Sequence, residues 1–371
     1  MQSQNGFPKE LLQQPMSQRI AYFENYAMAH PKLKEAAEQL MHSIRQPAGA
    51  SLIFVFGPTG VGKSTLLRRI TEKLTEAALL KMEADKGYIP IAGIEAIAPE
   101  FSNFDWKDFY VRALMALKEP MIDKKINRAS SKLKLRLALE SALNNRKPDA
   151  FLVDEAQNLG KVTSGRKLRD QTDCIKSLAN IAQTQFVLCG TYEVLMLRNL
   201  SGQLCRRSTD IHFPRYWAES ESDRDVFESI VQTFQSHLPL LEVPGLTDHW
   251  DYCYERSIGC VGILKDWLSR TLNAVLERDK EAATLTVKDL ERHAWSAEQC
   301  WIMLSEAKEE EKKLIDRVGR QDELRVALGL NVAASQIDSG SQKKSAAKKP
   351  GSVGKPSPRR RPVGEDQYAS Q

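Results

Sequence analysis

Residues 51–65 read Ser51-Leu-Ile-Phe-Val-Phe-Gly57-Pro58-Thr59-Gly60-Val61-Gly62-Lys63-Ser64-Thr65. An apolar run of strand character leads into Gly57, and the eight residues Gly57 to Ser64 fit the spacing GxxxxGK[ST], with a helical pattern beginning at Lys63. Each residue type has a physical reason at its place. The glycines let the backbone curl until successive N–H groups point at phosphate oxygens. Lys63 neutralises the β- and γ-phosphates, and the Ser64 hydroxyl is placed to ligate Mg²⁺. Residues 57–65 are therefore the expected phosphate cradle, and the strand-loop-helix setting separates them from an ordinary glycine-rich turn.

Beyond this loop, strand-like runs alternate with helical patterns: Tyr88 to Ile97, a helix from Asp105 to Leu117, then Phe151 to Val153, Phe186 to Leu188 and Ile211 to Phe213. Such alternation implies a largely parallel sheet covered on both faces. The expected class is α/β, with a nucleotide-binding module over 49–218. Residues 1–48 read as helical, with Leu33, Ala36, Ala37, Leu40, Met41 and Ile44 at helical spacing, and are expected to pack on that module. From about Glu219 the pattern is all-helical, which gives a lid and C-terminal helices over 219–330. Thr286 and Asp289 stand at capping-box spacing there. Residues 331–371 are mostly Ser, Lys, Pro and Gly, too poor in large apolar side chains to offset their ordering entropy, so a disordered tail is expected.

The 371 residues, 42% hydrophobic and 27% charged, exclude a wholly disordered or fibrous chain. No apolar run approaches the roughly 18 residues of a membrane helix, and the first residues do not resemble a signal peptide. Six cysteines without CxxC pairing suit a reducing cytoplasm better than disulfides or a zinc site. Charge is unevenly placed. From Ser341 onward eight bases face two acids, a net +6 against the whole chain's +5, which leaves the body near −1. Any nucleic-acid surface in the body must come from local patches.

A second nucleotide element is Phe151-Leu-Val-Asp154-Glu155, a short apolar strand ending in two carboxylates. Asp154 is placed to hold Mg²⁺ through its water shell, and Glu155 to polarise the attacking water. The strand Phe186-Val-Leu-Cys189-Gly190 ends at Thr191, which either meets the γ-phosphate or its water, or caps a helix from Tyr192. Arg206 and Arg207, just before the last strand, are either surface arginines or a finger reaching a neighbouring subunit's γ-phosphate.

In this order, with a helical region behind them, these motifs resemble an AAA+ ATPase over roughly residues 20–300. Within that superfamily the likeness is to the TnsC and TniB group of transposition regulators. It rests on Tyr22-Phe23, His30-Pro31, Asp154-Glu-Ala-Gln-Asn158, Leu188-Cys-Gly-Thr191, Ser201-Gly-Gln-Leu-Cys-Arg-Arg207 and Gly259-Cys-Val-Gly262-Ile-Leu-Lys265. The resemblance implies ATP and Mg²⁺ as cofactors, with Lys265 facing the nucleotide as a second sensor. It further implies a homo-oligomer, ring or filament, on double-stranded DNA, linking a target-selection protein to a transposase. A replication initiator or helicase loader is the alternative, although no winged-helix module is evident after the lid. A secretion-linked ExeA-type ATPase or a metabolic P-loop kinase fits less well.

Two basic clusters are candidates for sequence-neutral phosphate contact. Lys124, Lys125, Arg128 and Lys132 lead a helix with a buried stripe and a basic flank, and Lys161, Arg166, Lys167 and Arg169 follow the Asp154-Glu155 strand. Either is also readable as a solvated face. The tail from Lys343 to Arg361 suits DNA or a docking partner equally. Ala307-Lys-Glu-Glu-Glu-Lys-Lys313 reads most simply as an exposed helical face with i,i+4 charge pairs.

Overall fold

The computed structural model describes residues 6–100, 103–120, 131–161, 165–200, 202–318 and 321–330. Its sheet has five parallel strands: β1 (Leu52–Phe56), β2 (Ile91–Glu95), β3 (Ala150–Asp154), β4 (Gln185–Gly190) and β5 (Ser208–His212), in the order β2-β3-β4-β1-β5. Lying between β4 and β5, β1 buries all five of its residues, which is why its sequence does not alternate with polar positions. The register pairs Phe56 with Gly190 and His212, and Glu95 with Asp154. The turns after β1, β3, β4 and β5 therefore open at one carboxyl edge, where parallel sheets place their ligands.

Around the sheet run α1 (Met16–Asn25), α2 (Pro31–Arg45), α3 (Lys63–Ala77), α4 (Trp106–Ala116), α5 (Lys132–Arg146) and α6 (Gly165–Ala182). The helical region follows as α7 (Glu221–His237), α8 (Trp250–Ser257), α9 (Val261–Arg278), α10 (Val287–His293) and α11 (Ala297–Val318). Residues Met1–Lys313 make one compact unit and Leu314–Gln371 a second, in which the end of α11 and a short helix, Gln321–Ala327, are described. The disorder expected for 331–371 lies outside the described residues.

Two of the apolar cores of the first unit bear on the site. One joins Leu33 and Leu40 of α2, Ile53 and Val55 of β1, Leu66 and Ile70 of α3, and Phe213. The other joins Phe227 and Phe234 of α7 with Leu264, Trp267 and Leu272 of α9 and Leu290 of α10. Phe23 of α1 belongs to this second core. The N-terminal segment, expected to pack on the nucleotide-binding module, places α2 on the sheet and α1 on the helices. Arg19 secures the division. Its buried guanidinium donates to the Pro239 oxygen at 2.6 and 3.0 Å and to the Lys280 oxygen at 2.9 Å, satisfying two loop carbonyls. The Thr286–Asp289 capping box is formed. Burial alone raises the Asp289 carboxyl, but hydrogen bonds from Thr286 and Arg278 outweigh it and hold the group at about 2.

Candidate nucleotide-binding site

The loop after β1 is shaped by what glycine leaves out. A Cβ on Gly57 would stand 2.0 Å from the Phe213 carbonyl oxygen, so only a glycine passes β5 at this distance. Gly62 adopts φ +109 as the N-cap of α3, a conformation costly for residues with a Cβ. Lys63 then turns back under the loop. Its ammonium donates to the Gly57 oxygen at 3.0 Å and the Pro58 oxygen at 2.8 Å, and burial pushes it below the usual lysine range.

Ser64 Oγ donates to Asp154 Oδ2 at 3.0 Å, bringing the helix start and the tip of β3 together from positions 90 residues apart. The Glu155 N–H donates to Asp154 Oδ1 at 2.9 Å while Glu155 itself sits at φ +50, so the backbone turns sharply and the two carboxylates diverge. Gln157 donates to Glu155 Oε2 at 2.5 Å and accepts the Thr191 N–H at 3.2 Å. Asn158 Nδ2 donates to the Ala96 oxygen at 2.8 Å and fastens the same turn to the end of β2. Thr191 holds the N-cap position of the turn Tyr192–Val194, yet its side chain makes no capping hydrogen bond.

The helical region closes on this loop. The Gly262 N–H donates to the Gly60 oxygen at 2.8 Å, and a Cβ on Gly262 would lie 2.4 Å from that oxygen. Here α9 begins, beside a small cavity lined by Tyr26, Met28, His30, Val61, Thr65 and Lys265. Lys265, expected to face a nucleotide, does line this cavity, and its ammonium donates to the Glu24 oxygen at 2.6 Å. His30 meets the Tyr216 hydroxyl at 2.9 Å, and burial, with Arg69 and Lys32 nearby, pushes its imidazole down to about 4.

On the other side of the loop a cavity of about 400 Å³ is lined by Pro58, Thr59, Gln157, Thr191 and, from α11, Glu306 and Glu310. The expected exposed, charge-paired face over 307–313 is present at Lys308, Glu309, Lys312 and Lys313, while the opposite side of the helix is buried. Lys313 pairs with Glu309 at 3.0 Å, whereas Ala307 is 3% and Glu311 9% exposed. That side turns inward because Glu311 meets buried Arg215, the third residue after β5, at 3.0 and 3.1 Å. Arg215 also donates to the Tyr254 hydroxyl at 3.2 Å.

Arg206 and Arg207 stand elsewhere. They precede Ser208, which pairs with Leu52, at the amino edge of the strands and a strand length from Gly57. Arg206 is exposed, and Arg207 donates to Asn180 Oδ1 at 3.2 Å. Of the basic clusters, Lys124, Lys125 and Arg128 lie outside the described residues. Lys132 is exposed at the start of α5 and lines a cavity with Ile97, Pro99, Glu100, Phe104 and Asp108, whereas Lys161 lines the cavity beside the phosphate loop. Arg169 is exposed on α6, and Arg166 and Lys167 fall in its first turn.

The sheet order, the phosphate loop on β1 and the helical region behind it define a P-loop AAA+ fold. Residues 45–198 match the family described as AAA domain. Among solved structures the chain is similar to the Aeropyrum pernix ORC2 protein in its ADP form, at 14% identity and TM-score 0.51, over 74% of this chain and 71% of that one. The ADPNP-ADP complexes of the same protein match at 15% identity and TM-score 0.51, over 75% and 72%. No curated protein matches.

Gln157, Arg215, Glu311 and the Tyr26–His30 wall were not singled out as functional by spacing. Gln157 and Asn158 carried a sequence signal only as two amides following paired carboxylates.

Proposed function

We propose that this chain binds ATP with Mg²⁺ and hydrolyses it within an oligomer assembled on duplex DNA. The observation carrying the reading is the contact of Ser64 with Asp154 beside Lys63 and Glu155. A hydroxyl and a carboxylate are hard oxygen donors that suit Mg²⁺, which takes few protein ligands and completes its shell with water and phosphate. Among the described residues no cluster of three or more His, Cys, Asp or Glu offers a fuller metal cage, in keeping with that mode. Ser64 and Asp154 would hold the ion, which supplies neutralising charge to the phosphates. Lys63 exchanges its two loop carbonyls for phosphate oxygens. Glu155 orients the attacking water and takes its proton, and Thr191 hydrogen-bonds the water or the terminal phosphate. The cavity of Tyr26, His30 and Lys265 takes the base and sugar side. Binding of ADP and ADPNP by the Aeropyrum pernix ORC2 protein supports a nucleotide in this fold.

The finer reading is a regulator of DNA transposition that links a target-selection protein to a transposase. It rests on the ordered motifs from Tyr22 to Lys265. A replication initiator or helicase loader uses the same site, and the fold likeness to the ORC2 protein favours that role at least as well. Among the described residues no helix is long and apolar enough to cross a membrane, so an ExeA-type role gains no support.

ATP turnover with Glu155→Gln tests the site: the variant should keep ATP and lose most, though not all, of its turnover, and turnover at the parental rate would remove Glu155 as the base. Stimulation of turnover by a transposase or, alternatively, by a replicative helicase distinguishes the two roles. Neutralising Lys132, Lys161 and Arg169 should lower the log-log salt slope of DNA binding by about 0.9 per lost phosphate contact. An unchanged slope returns these residues to solvated surface.

A further inference from the structure

Gln157 makes both of its side-chain hydrogen bonds inside the site, and to residues of two different strand ends. Its Nε2 donates to Glu155 Oε2 at 2.5 Å, after β3, and its Oε1 accepts the Thr191 N–H at 3.2 Å, after β4. The side chain is 8% exposed, so water does not readily substitute for either bond. The surroundings are shaped to admit it. A Cβ on Gly190 would stand 2.2 Å from Gln157 Oε1, so the last residue of β4 must lack a side chain for the amide to reach Thr191. The chemistry is equally restrictive. A carboxamide presents a donor and an acceptor from one rigid plane, whereas an ionised glutamate accepts only and a leucine does neither.

We propose that Gln157 is a positioning residue that couples Thr191 to Glu155. The inference rests on the assignment of Glu155 as base made above and adds how that base is controlled. When Thr191 meets a terminal phosphate, movement of its N–H draws on Gln157 Oε1, and the same amide plane carries the movement to the Glu155 carboxylate. Glu155 is thereby aimed by the occupant of the γ-phosphate position. Gln157 itself bonds Glu155 and the Thr191 N–H and not the nucleotide, so its removal acts on turnover and leaves binding nearly unchanged.

The test compares Gln157→Leu, which removes both bonds, with Gln157→Glu, which keeps the acceptor for Thr191 and loses the donor to Glu155. ATP turnover in the full-length chain is measured beside the affinity for a fluorescent ATP analogue and the melting temperature. Misaiming a reacting group costs about 10- to 100-fold in rate. Both variants should lose kcat by that factor with analogue affinity within about two-fold. Adding Gln157→Leu to Glu155→Gln should lower turnover no further, since the amide acts only through that carboxylate. If Gln157→Leu fails to fold, Gln157→Glu carries the comparison. Parental kcat in both variants, a kcat loss matched by an equal loss of affinity, or additive losses in the double variant each overturn the coupling. Parental turnover by Glu155→Gln alone overturns the base assignment and the coupling with it, and that result is read from a chain in which Gln157 is intact.

Discussion

The two edges of one sheet are built on different principles. At the carboxyl edge Gly57, Lys63, Gln157 and Arg215 are buried, and Lys63, Gln157 and Arg215 direct their polar groups at backbone and carboxylate partners inside the chain. At the amino edge Arg206 is exposed and Arg207 donates to Asn180. A five-residue strand separates them, about 16 Å at 3.3 Å per residue. The first edge contains what a bound phosphate needs, while the second presents cations too far from that phosphate to serve it. A role for Arg206 at a nucleotide phosphate, as opposed to a surface role, would therefore need a second copy of the chain, with the amino edge of one meeting the carboxyl edge of the next.

Substitutions sort by edge. The largest effect is expected at Lys63: Lys63→Ala removes two or more charge-assisted bonds of about 1.5–3 kcal/mol each to phosphate, so ATP affinity should fall by at least about 100-fold in a titration. Retained affinity would mean that the carboxyl edge does not bind through this loop. Next is the buried ion pair. Arg215→Ala strands Glu311 and should cost about 3–5 kcal/mol in chemical denaturation, whereas Arg215→Met with Glu311→Leu should recover most of that.

A smaller effect follows from pH. His30 is neutral in the folded chain down to about 4, against 6.5 for an ordinary histidine. Between those values the unfolded chain binds the extra proton, so stability is full above pH 6.5 and declines as pH falls toward 4. The slope approaches about 1.4 kcal/mol per pH unit from this group. Asp289, held at about 2 against 3.8, adds its loss only at lower pH. His30→Gln should flatten the upper part of the denaturation-versus-pH curve, and an unchanged slope would show that His30 is not the group responsible.

The smallest change in stability is expected at the amino edge. Arg206→Ala should alter unfolding free energy by less than about 0.5 kcal/mol, as exposed substitutions do, yet abolish turnover. Mixed with Lys63→Ala chains it should regain part of that turnover at mixed interfaces. A co-assembled mixture that stays inactive would remove the arginine from the neighbour's site and with it the contrast between the edges.

The phosphate loop and the Asp154-Glu155 strand tip were legible because their chemistry is encoded in consecutive residues. The parallel sheet was legible for a related reason, since buried strands such as Leu52–Phe56 cannot alternate with polar residues. Residues joined only by tertiary contact were not. Arg215 and Glu311 lie 96 positions apart, and neither spacing nor composition pairs them. The inward side of α11 shows where the reading was incomplete. Cys300, Met303, Leu304, Ala307 and Glu311 recur at helical intervals, but the glutamate closing the stripe and the Glu309–Lys313 pair beside it read as a solvated surface. The split of the N-terminal segment was equally hidden, because Phe23 and Leu33 are both apolar and only the fold assigns them to different cores.

The bond from Gly262 to Gly60 has a mechanical meaning. Two backbones are joined with no side chain between them, so a tilt of α9 has no rotamers or flexible methylenes in which to dissipate. The first turn of the helix thus bears directly on the loop that cradles phosphate, so the angle of one constrains the shape of the other. Such a linkage is bidirectional: whatever stiffens the loop also fixes the angle of the helix, and a neighbour leaning on the helix alters the grip of the loop.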